Sequence, residues 1–373
     1  MKIIGLQENL KQALSIVGCA TSKNINLPIL GNILIRAKDN IELITTDLEI
    51  GITHQLRGKI EKSGEITIDA KVFGEYVSLL PNQKIEIITE EEGEEVEVNC
   101  ENYKTRIKGQ SAKEFPLIPS IKKENQFKVK RNDFKEALSK VVFAVSNNES
   151  RLELSGVLFT FIDNQLVLAA TDSFRLSEKK IACQIENQNQ EERIIVPVKT
   201  IQELIKILNN SIELTEDSQE VLIYISDNQI LFCLNSTELI SRIISGQYPD
   251  YKQIIPEKNK SRIILSRAEL LRAVKASAIF SKTGINDVGL SCSKDRVLIS
   301  AASGQVGESS VELEAKVIGD DNDITINYRY LLDGLNSIEG DKVVLEVIDA
   351  NAPCVFKPEK DESQLYIVMP LRQ

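Results

Sequence analysis

The chain repeats itself three times, and this limits its possible folds more than its composition does. The clearest copy of the repeated hairpin runs Val157–Ile162, turns at Asp163-Asn164 and returns over Gln165–Ala170. Asp-Asn suits a tight turn, because both residues tolerate left-handed backbone and bond their own main chain. Thr171-Asp172 follows, then an exposed-looking Phe174-Arg175-Leu176 on a polar loop. A relative occurs earlier, with Ile33–Ala37, Asp39-Asn40, Ile41–Thr46 and then Asp47–Ile50. A weaker one occurs later, with Val288–Cys292, Lys294-Asp295, Arg296–Ala302 and then Ser303-Gly304.

Three further landmarks recur in the same order. Apolar residues at helical spacing mark 9–17, 133–141 and 269–277, the last with the capping-box pattern Ser266-x-x-Glu269. A strand leads into a helix at 66–80, 194–208 and 324–338. A strand pair then ends near proline, at Phe115-Pro116, Tyr248-Pro249 and Met369-Pro370. The period is roughly 125–135 residues, an ordinary domain length. The pattern predicts an α+β chain of three repeats, 1–124, 125–258 and 259–373, each with two helices and about eight short strands. Two helices per repeat would lie on one face of the sheets. Ile118–Asn125 and Ile255–Ser261 are polar, proline-marked linkers. The acidic run Glu90–Glu95 reads as a solvated hairpin tip.

Composition narrows the class. The 373 residues are 42% hydrophobic and 27% charged, as in soluble globular proteins. Met1-Lys-Ile-Ile-Gly runs directly into an amphipathic segment, so no signal peptide is expected. No apolar run approaches the roughly 20 residues that span a bilayer. Six scattered cysteines without a CxxC pair read as buried free thiols in a reducing cytoplasm. A single histidine, His54, leaves little room for a histidine-rich metal site or a Ser-His-Asp triad. No P-loop, GxGxxG, GxSxG or HExxH motif is present, so neither cofactor nor metal is expected. Asp47 with Glu49, and Asp172, are the one candidate set of carboxylates for metal or acid-base work. They fall at equivalent positions of two repeats, which favours capping of the turn that follows. A non-enzyme is expected.

Net charge is −10, which alone argues against a nucleic-acid binder. Its distribution argues otherwise. The predicted helices (8–18, 71–80, 132–145, 198–209, 266–280, 327–338) carry ten basic residues: Lys11, Lys71, Lys135, Lys140, Lys199, Lys206, Arg267, Arg272, Lys275 and Arg329. Against these stand seven acidic ones, so the helices are net positive and the acidic excess lies in strands and loops. Salt-bridged helix surface would read the same way.

Several segments together resemble one family, the bacterial β sliding clamps, processivity subunits of DNA polymerase III. They are Leu27–Asn32, Thr46–Glu49, Ser155–Phe159, Ala170–Leu176, Gly246–Tyr251 and Tyr366–Arg372, and the resemblance runs the full length. It implies three similar domains per chain, with helices packed on antiparallel sheets. It also implies a head-to-tail homodimer forming a six-domain ring around duplex DNA. An inner face biased positive would attract phosphates through a hydrated gap without reading bases. The implied channel residues are the ten helical cations with Arg151 and Lys23.

The resemblance further implies a pocket between the second and third domains for short peptides. The peptides belong to the replicative polymerase catalytic subunit, the clamp loader, other polymerases, ligase and mismatch-repair proteins. The matching positions are Leu154, Thr171, Ser173, Phe174, Arg175, Leu176, Pro249, Ile254, Ile367, Val368, Met369, Pro370, Leu371 and Arg372. Apolar side chains would take an apolar anchor, and Arg175 or Arg372 the peptide carbonyls or acidic end. Read without the family, Ile367–Met369 is better taken as a terminal core strand. The ring contact is implied at Tyr103, Thr105, Ile107, Ile279 and Phe280, joining two edge strands.

Departures are visible. Ser173-Phe174 stands where the family commonly has Gly-His or similar, and Gln373 where relatives often end in an apolar residue. Arg151 is the only basic residue of the loop 147–152, where the family's DNA-touching aromatics are missing. The alternative reading is a repeat scaffold that binds proteins and never touches DNA.

Overall fold

The computed structural model describes residues 1–22, 26–90, 94–124, 126–148, 150–186, 191–210 and 219–372. Lys23, half of the acidic tip and Gln373 lie outside them. The described residues form six α-helices and 25 strands. The helices are α1 (Gln7–Val17), α2 (Ala70–Leu79), α3 (Arg131–Val141), α4 (Val198–Asn210), α5 (Arg267–Ala278) and α6 (Tyr328–Ser337). Each repeat thus holds two helices and eight or nine strands.

Local chemistry sets the helix starts. The Asp69 carboxylate accepts from Val72 N at 2.7 Å, and the Asn327 side chain from Arg329 N at 2.9 Å. Ser266 Oγ accepts from Glu269 N, as the capping pattern predicts. The central hairpin pairs Gly156–Ile162 with Gln165–Thr171, and Asp163 and Asn164 both take left-handed φ (50° and 56°).

The chain packs as two compact units, and their limits divide the second repeat. The first comprises residues 1–135, 183–190 and 199–244. It contains a nine-stranded antiparallel sheet. Four strands come from the first repeat, in the order 64–69, 32–37, 41–46 and 50–56. Five come from the second, continuing through 237–242, 229–234, 220–226, 126–130 and 183–185. A five-stranded sheet, 58–62, 2–6, 84–89, 95–100 and 103–110, completes this unit, and the end of its last strand pairs back with 64–69.

The second unit comprises residues 136–182, 191–198 and 245–373. It too contains a nine-stranded antiparallel sheet. Four strands come from the second repeat, 192–197, 156–162, 165–171 and 175–182. Five come from the third, 364–368, 354–358, 342–347, 261–266 and 315–319. A four-stranded sheet holds 322–327, 287–293, 296–303 and 307–314, the last continuing as 315–319 into the nine-stranded sheet. Its core gathers Leu270, Val274, Leu331, Leu335, Val343, Leu345 and the fully buried Tyr366.

Each nine-stranded sheet thus crosses a repeat boundary by one strand pair. In the first unit the pair is Ile50–His54 with Thr237–Ser241. His54 Nδ1 lies 2.8 Å from Thr237 Oγ1 at the end of this pair, and burial pushes the imidazole pKa down to about 4. The folded chain therefore holds His54 neutral, while the unfolded chain takes up a proton near pH 6.5. Stability from this residue is complete above pH 6.5 and lost as the pH falls toward 4. By pH 5.5 the unfolding equilibrium is expected to shift about tenfold toward the unfolded state on this account alone. Urea unfolding of wild type and His54→Gln at pH 7.5 and 5.5 checks it. The acid-induced loss should be smaller in the variant by that amount, and equal losses would rule His54 out as the cause.

Candidate functional site

Two turns of the same construction stand at the two repeat boundaries. In the second unit, Asp172 Oδ1 accepts from Phe174 N and Arg175 N, both at 3.0 Å. Thr171 Oγ1 donates to Arg175 O and accepts from Ser173 N, and Ser173 takes φ 79°. In the first unit, Asp47 Oδ1 accepts from Glu49 N at 3.0 Å and Ile50 N at 2.8 Å. Thr46 Oγ1 donates to Ile50 O and accepts from Leu48 N, and Leu48 takes φ 77°. The carboxylates hold main-chain amides rather than a reacting group. Among the described residues no cluster of three His, Cys, Asp or Glu is placed to hold a metal ion.

Around the second turn the side chains are committed in depth. The Arg175 guanidinium lies 4.6 Å from the Tyr330 ring centroid and 5.6 Å from that of Phe143. Its Nε donates to Asp172 Oδ2 at 3.0 Å and its Nη2 to Phe143 O at 2.9 Å, and Nη1 pairs with Asp333. Arg175 therefore braces the turn, α6 and the segment after α3 within this unit, a use its sequence position did not suggest. Tyr366 donates to Tyr330 O at 2.7 Å, and Thr171 N donates to the Tyr248 hydroxyl at 3.1 Å. The segment after the last strand is tied down as well, with Met369 N bonded to Phe174 O and Leu371 N to Thr325 O, both at 2.8 Å.

The expected peptide-pocket residues divide by exposure. Leu154, Leu176, Ile367 and Val368 are fully buried, so they belong to the core of this unit. Thr171 is buried and bonded within the turn. Phe174 is 60% exposed and stacks on Tyr330 with centroids 6.5 Å apart, while Ile254 is 43% exposed. Ser173 and Arg372 are exposed, and Pro249, Met369, Pro370 and Leu371 are half-buried. Exposed Leu152 adds a further apolar side chain. Phe143, Tyr330, Asp333 and Tyr248 escaped the sequence reading. Tyr330 was findable, since an aromatic in the first turn of a helix, outside its apolar stripe, needs a partner.

The helical cations also divide. Lys11, Arg272, Lys275 and Arg329 are exposed, with no carboxylate against them among the described residues. Lys71, Lys199 and Lys206 are exposed but paired, with Glu75, Asp47 and Glu203. Arg151 bonds Glu153 and Ser173, and Lys135 is half-buried. Arg267 turns inward, with Nε and Nη1 donating to Gly340 O and Leu335 O at 3.0 Å. Lys140 corrects the sequence reading: it is 5% exposed and held by Glu136 and Glu339, so its charge is spent inside the protein. Among the described residues no helix is long and apolar enough to cross a membrane.

Comparison with known proteins places this architecture. Family models for the DNA polymerase III beta subunit match end to end, the N-terminal domain over residues 1–119, the central domain over 128–250 and the C-terminal domain over 252–372. The "Beta sliding clamp" of Staphylococcus epidermidis is 28% identical over 364 residues, covering 95% of this chain and 94% of its own. A crystal structure of the DNA polymerase III beta subunit of Thermotoga maritima superposes with a TM-score of 0.91 at 28% identity, covering 100% of this chain and 99% of that one. A putative beta subunit from Eubacterium rectale gives 0.92 at 27% identity, with 100% of both chains covered. The three matched domains, the bridged antiparallel sheets and the paired boundary turns lead to one conclusion: the chain belongs to the DNA polymerase III beta subunit family, the β sliding clamps of DNA replication.

Proposed function

We propose that two copies of this chain close head to tail into a ring around duplex DNA and tether the replicative polymerase to it. The observation that carries this reading is a strand count. Each repeat boundary is bridged by a sheet of four strands from one repeat and five from the next. Left over are five strands at one end, edged by Tyr103–Gln110, and four at the other, edged by 307–314. Both edges are solvent-exposed along alternate residues. Joining them between two chains makes the same nine-stranded sheet a third time and removes both edges. Tyr103, Thr105 and Ile107 lie on the first edge, and Ile279 and Phe280 follow α5 beside the second. The three domains, 1–124, 125–258 and 259–373 on this reading, would then give a six-domain ring in the cytoplasm.

The role is non-catalytic. Exposed Lys11, Arg272, Lys275 and Arg329 would face phosphates loosely, as sliding requires, since a direct and specific grip would halt the ring. The exposed apolar residues about the 171–176 turn would take short peptides of the polymerase catalytic subunit, the clamp loader, other polymerases, ligase and mismatch-repair proteins. Arg372, exposed at the tail, is better placed than Arg175 to meet a peptide's acidic end.

Retention on DNA tests the reading. Protein loaded on a nicked circle should stay through gel filtration and leave within minutes of linearisation, while a protein-binding scaffold would ignore topology. Replacing Lys11, Arg272, Lys275 and Arg329 by glutamine should flatten the dependence of log K on log salt by about 0.9 for each phosphate no longer neutralised. An unchanged slope would remove these residues from the DNA-facing surface.

A further inference from the structure

The repeat that builds the 171–176 turn builds a second groove, in the first unit, to which no role has been given. Following the landmarks, Gly51, Pro116, Ile121 and Ile240 stand where Leu176, Pro249, Ile254 and Ile367 stand at the other boundary. All four of the former line one groove of about 560 Å³, with Leu34, Ile44, Thr53, Phe115 and Ile118. That volume is in the range of small-ligand and peptide-anchor sites. The main chain repeats too: Arg242 N bonds Glu49 O at 3.2 Å, as Met369 N bonds Phe174 O.

Gly51 is the difference that shapes this groove. A Cβ there would lie 3.0 Å from Ile118 Cδ1 and Cγ2 and from Ile240 Cγ2. Leucine stands at this position in the other boundary. Its absence lets the linker's Ile118 settle onto the sheet and form part of the groove wall. Leu117, next in the wall, is 92% exposed, with no apolar cover of its own. Charge distinguishes the two grooves. Arg36 is held by Glu42 and Glu65, and Lys123 by Glu238. The positions of Arg151 and Arg175 carry Asn26 and Ile50. Lys113 alone of the lining cations has no carboxylate against it among the described residues, and it is solvent-exposed.

We propose that this groove is a second peptide site, selective for an uncharged extended segment with a bulky apolar anchor. The proposal rests on the reading of the 171–176 turn as a peptide site, so the test must separate the two. The probe is N-acetyl-Leu-Phe-amide, titrated into full-length protein labelled at isoleucine δ1 methyls. Ile44, Ile118, Ile121 and Ile240 report the first groove, and Ile254 and Ile367 the second. Saturable shifts in both sets are expected, and Ile121→Glu should weaken the first set's Kd at least tenfold while leaving the second within twofold. Shifts in the first set alone would keep this proposal and refute a peptide site at 171–176. Shifts in the second alone would overturn this proposal and leave that reading intact. Shifts in neither would overturn both.

Discussion

Ile279→Asp is expected to convert the proposed two-chain ring into monomers of 41.7 kDa at micromolar concentration, with the fold unchanged. Ile279 is 68% exposed, so a polar replacement costs the isolated chain little. The repeat says what it is for. By the helix landmarks Ile279 stands where Phe143 stands, and Phe143 packs against the core that contains Tyr366. Around Ile279 the chain exposes Ile285 (51%) and Val306 (60%), and Phe280 lies against the start of strand Gly307–Gly319. Tyr103 on the first repeat's leftover edge, and Val72 and Leu79 on α2 of the same repeat, are exposed by 51%, 51% and 80%. These are exposed apolar side chains, and among the described residues the edges Tyr103–Lys108 and 307–314 each lack a second partner strand.

Burying a carboxylate in such a contact should cost at least about 2 kcal/mol, as central interface residues do. A head-to-tail ring contains the contact twice. The dimer therefore loses about 4 kcal/mol, roughly a thousandfold in Kd. Sedimentation of wild type and variant decides the matter. A variant that still sediments at twice the chain mass would show that Ile279 lies outside the contact.

The repeat was legible because its signals are local. Alternating strands, Asp-Asn turns and helix periodicity need no knowledge of the partner segment. That is why Asp163-Asn164 and the Ser266 cap appear where the sequence places them. Two things were not legible. The compact units cut through the second repeat, because the boundary sheets Ile50–His54/Thr237–Ser241 and Arg175–Lys179/Gln364–Val368 bind halves of it to different neighbours. Pairing across some 190 residues leaves no local mark. Charge was also misread where burial decided its use. Lys140 and Arg175 look like solvent-facing cations in a string of letters, yet Lys140 is held by Glu136 one turn away and by the distant Glu339, and Arg175 by the distant Asp333 and the Phe143 carbonyl. Ile367 and Val368 were open to both readings, and their burial makes them a core strand whose neighbours Met369–Leu371 reach the surface.

Gly334→Ala is expected to destabilise the second unit strongly. In an exposed helix, alanine in place of glycine stabilises by up to about 1 kcal/mol. Here the sign reverses. A Cβ on Gly334 would fall 2.0 Å from Tyr366 Cε1 and 2.2 Å from Cδ1, inside the ring of a fully buried side chain. Tyr366 cannot yield, because its hydroxyl is bonded to Tyr330 O and its ring packs near Phe143 and Phe356. Overpacking of this kind costs about 1–3 kcal/mol and more where nothing can move. The preceding repeat fills the same space differently, since Leu204 and Leu239, the counterparts of Gly334 and Tyr366, are both buried. One repeat uses two medium side chains where the next uses none and one large one.

That equivalence supplies the control. Tyr366→Leu alone should destabilise by a few kcal/mol, because it leaves a cavity and removes a hydrogen bond. Combined with Gly334→Ala it should recover much of the loss, giving a coupling of at least about 1 kcal/mol in a double-mutant cycle read by urea unfolding. Because Tyr330 and Met369 both lean on this region, peptide affinity at the 171–176 turn should fall in Gly334→Ala and return in part in the double variant. Additive single losses would mean that the backbone of α6 shifts to admit the methyl group, and that the two positions are not matched.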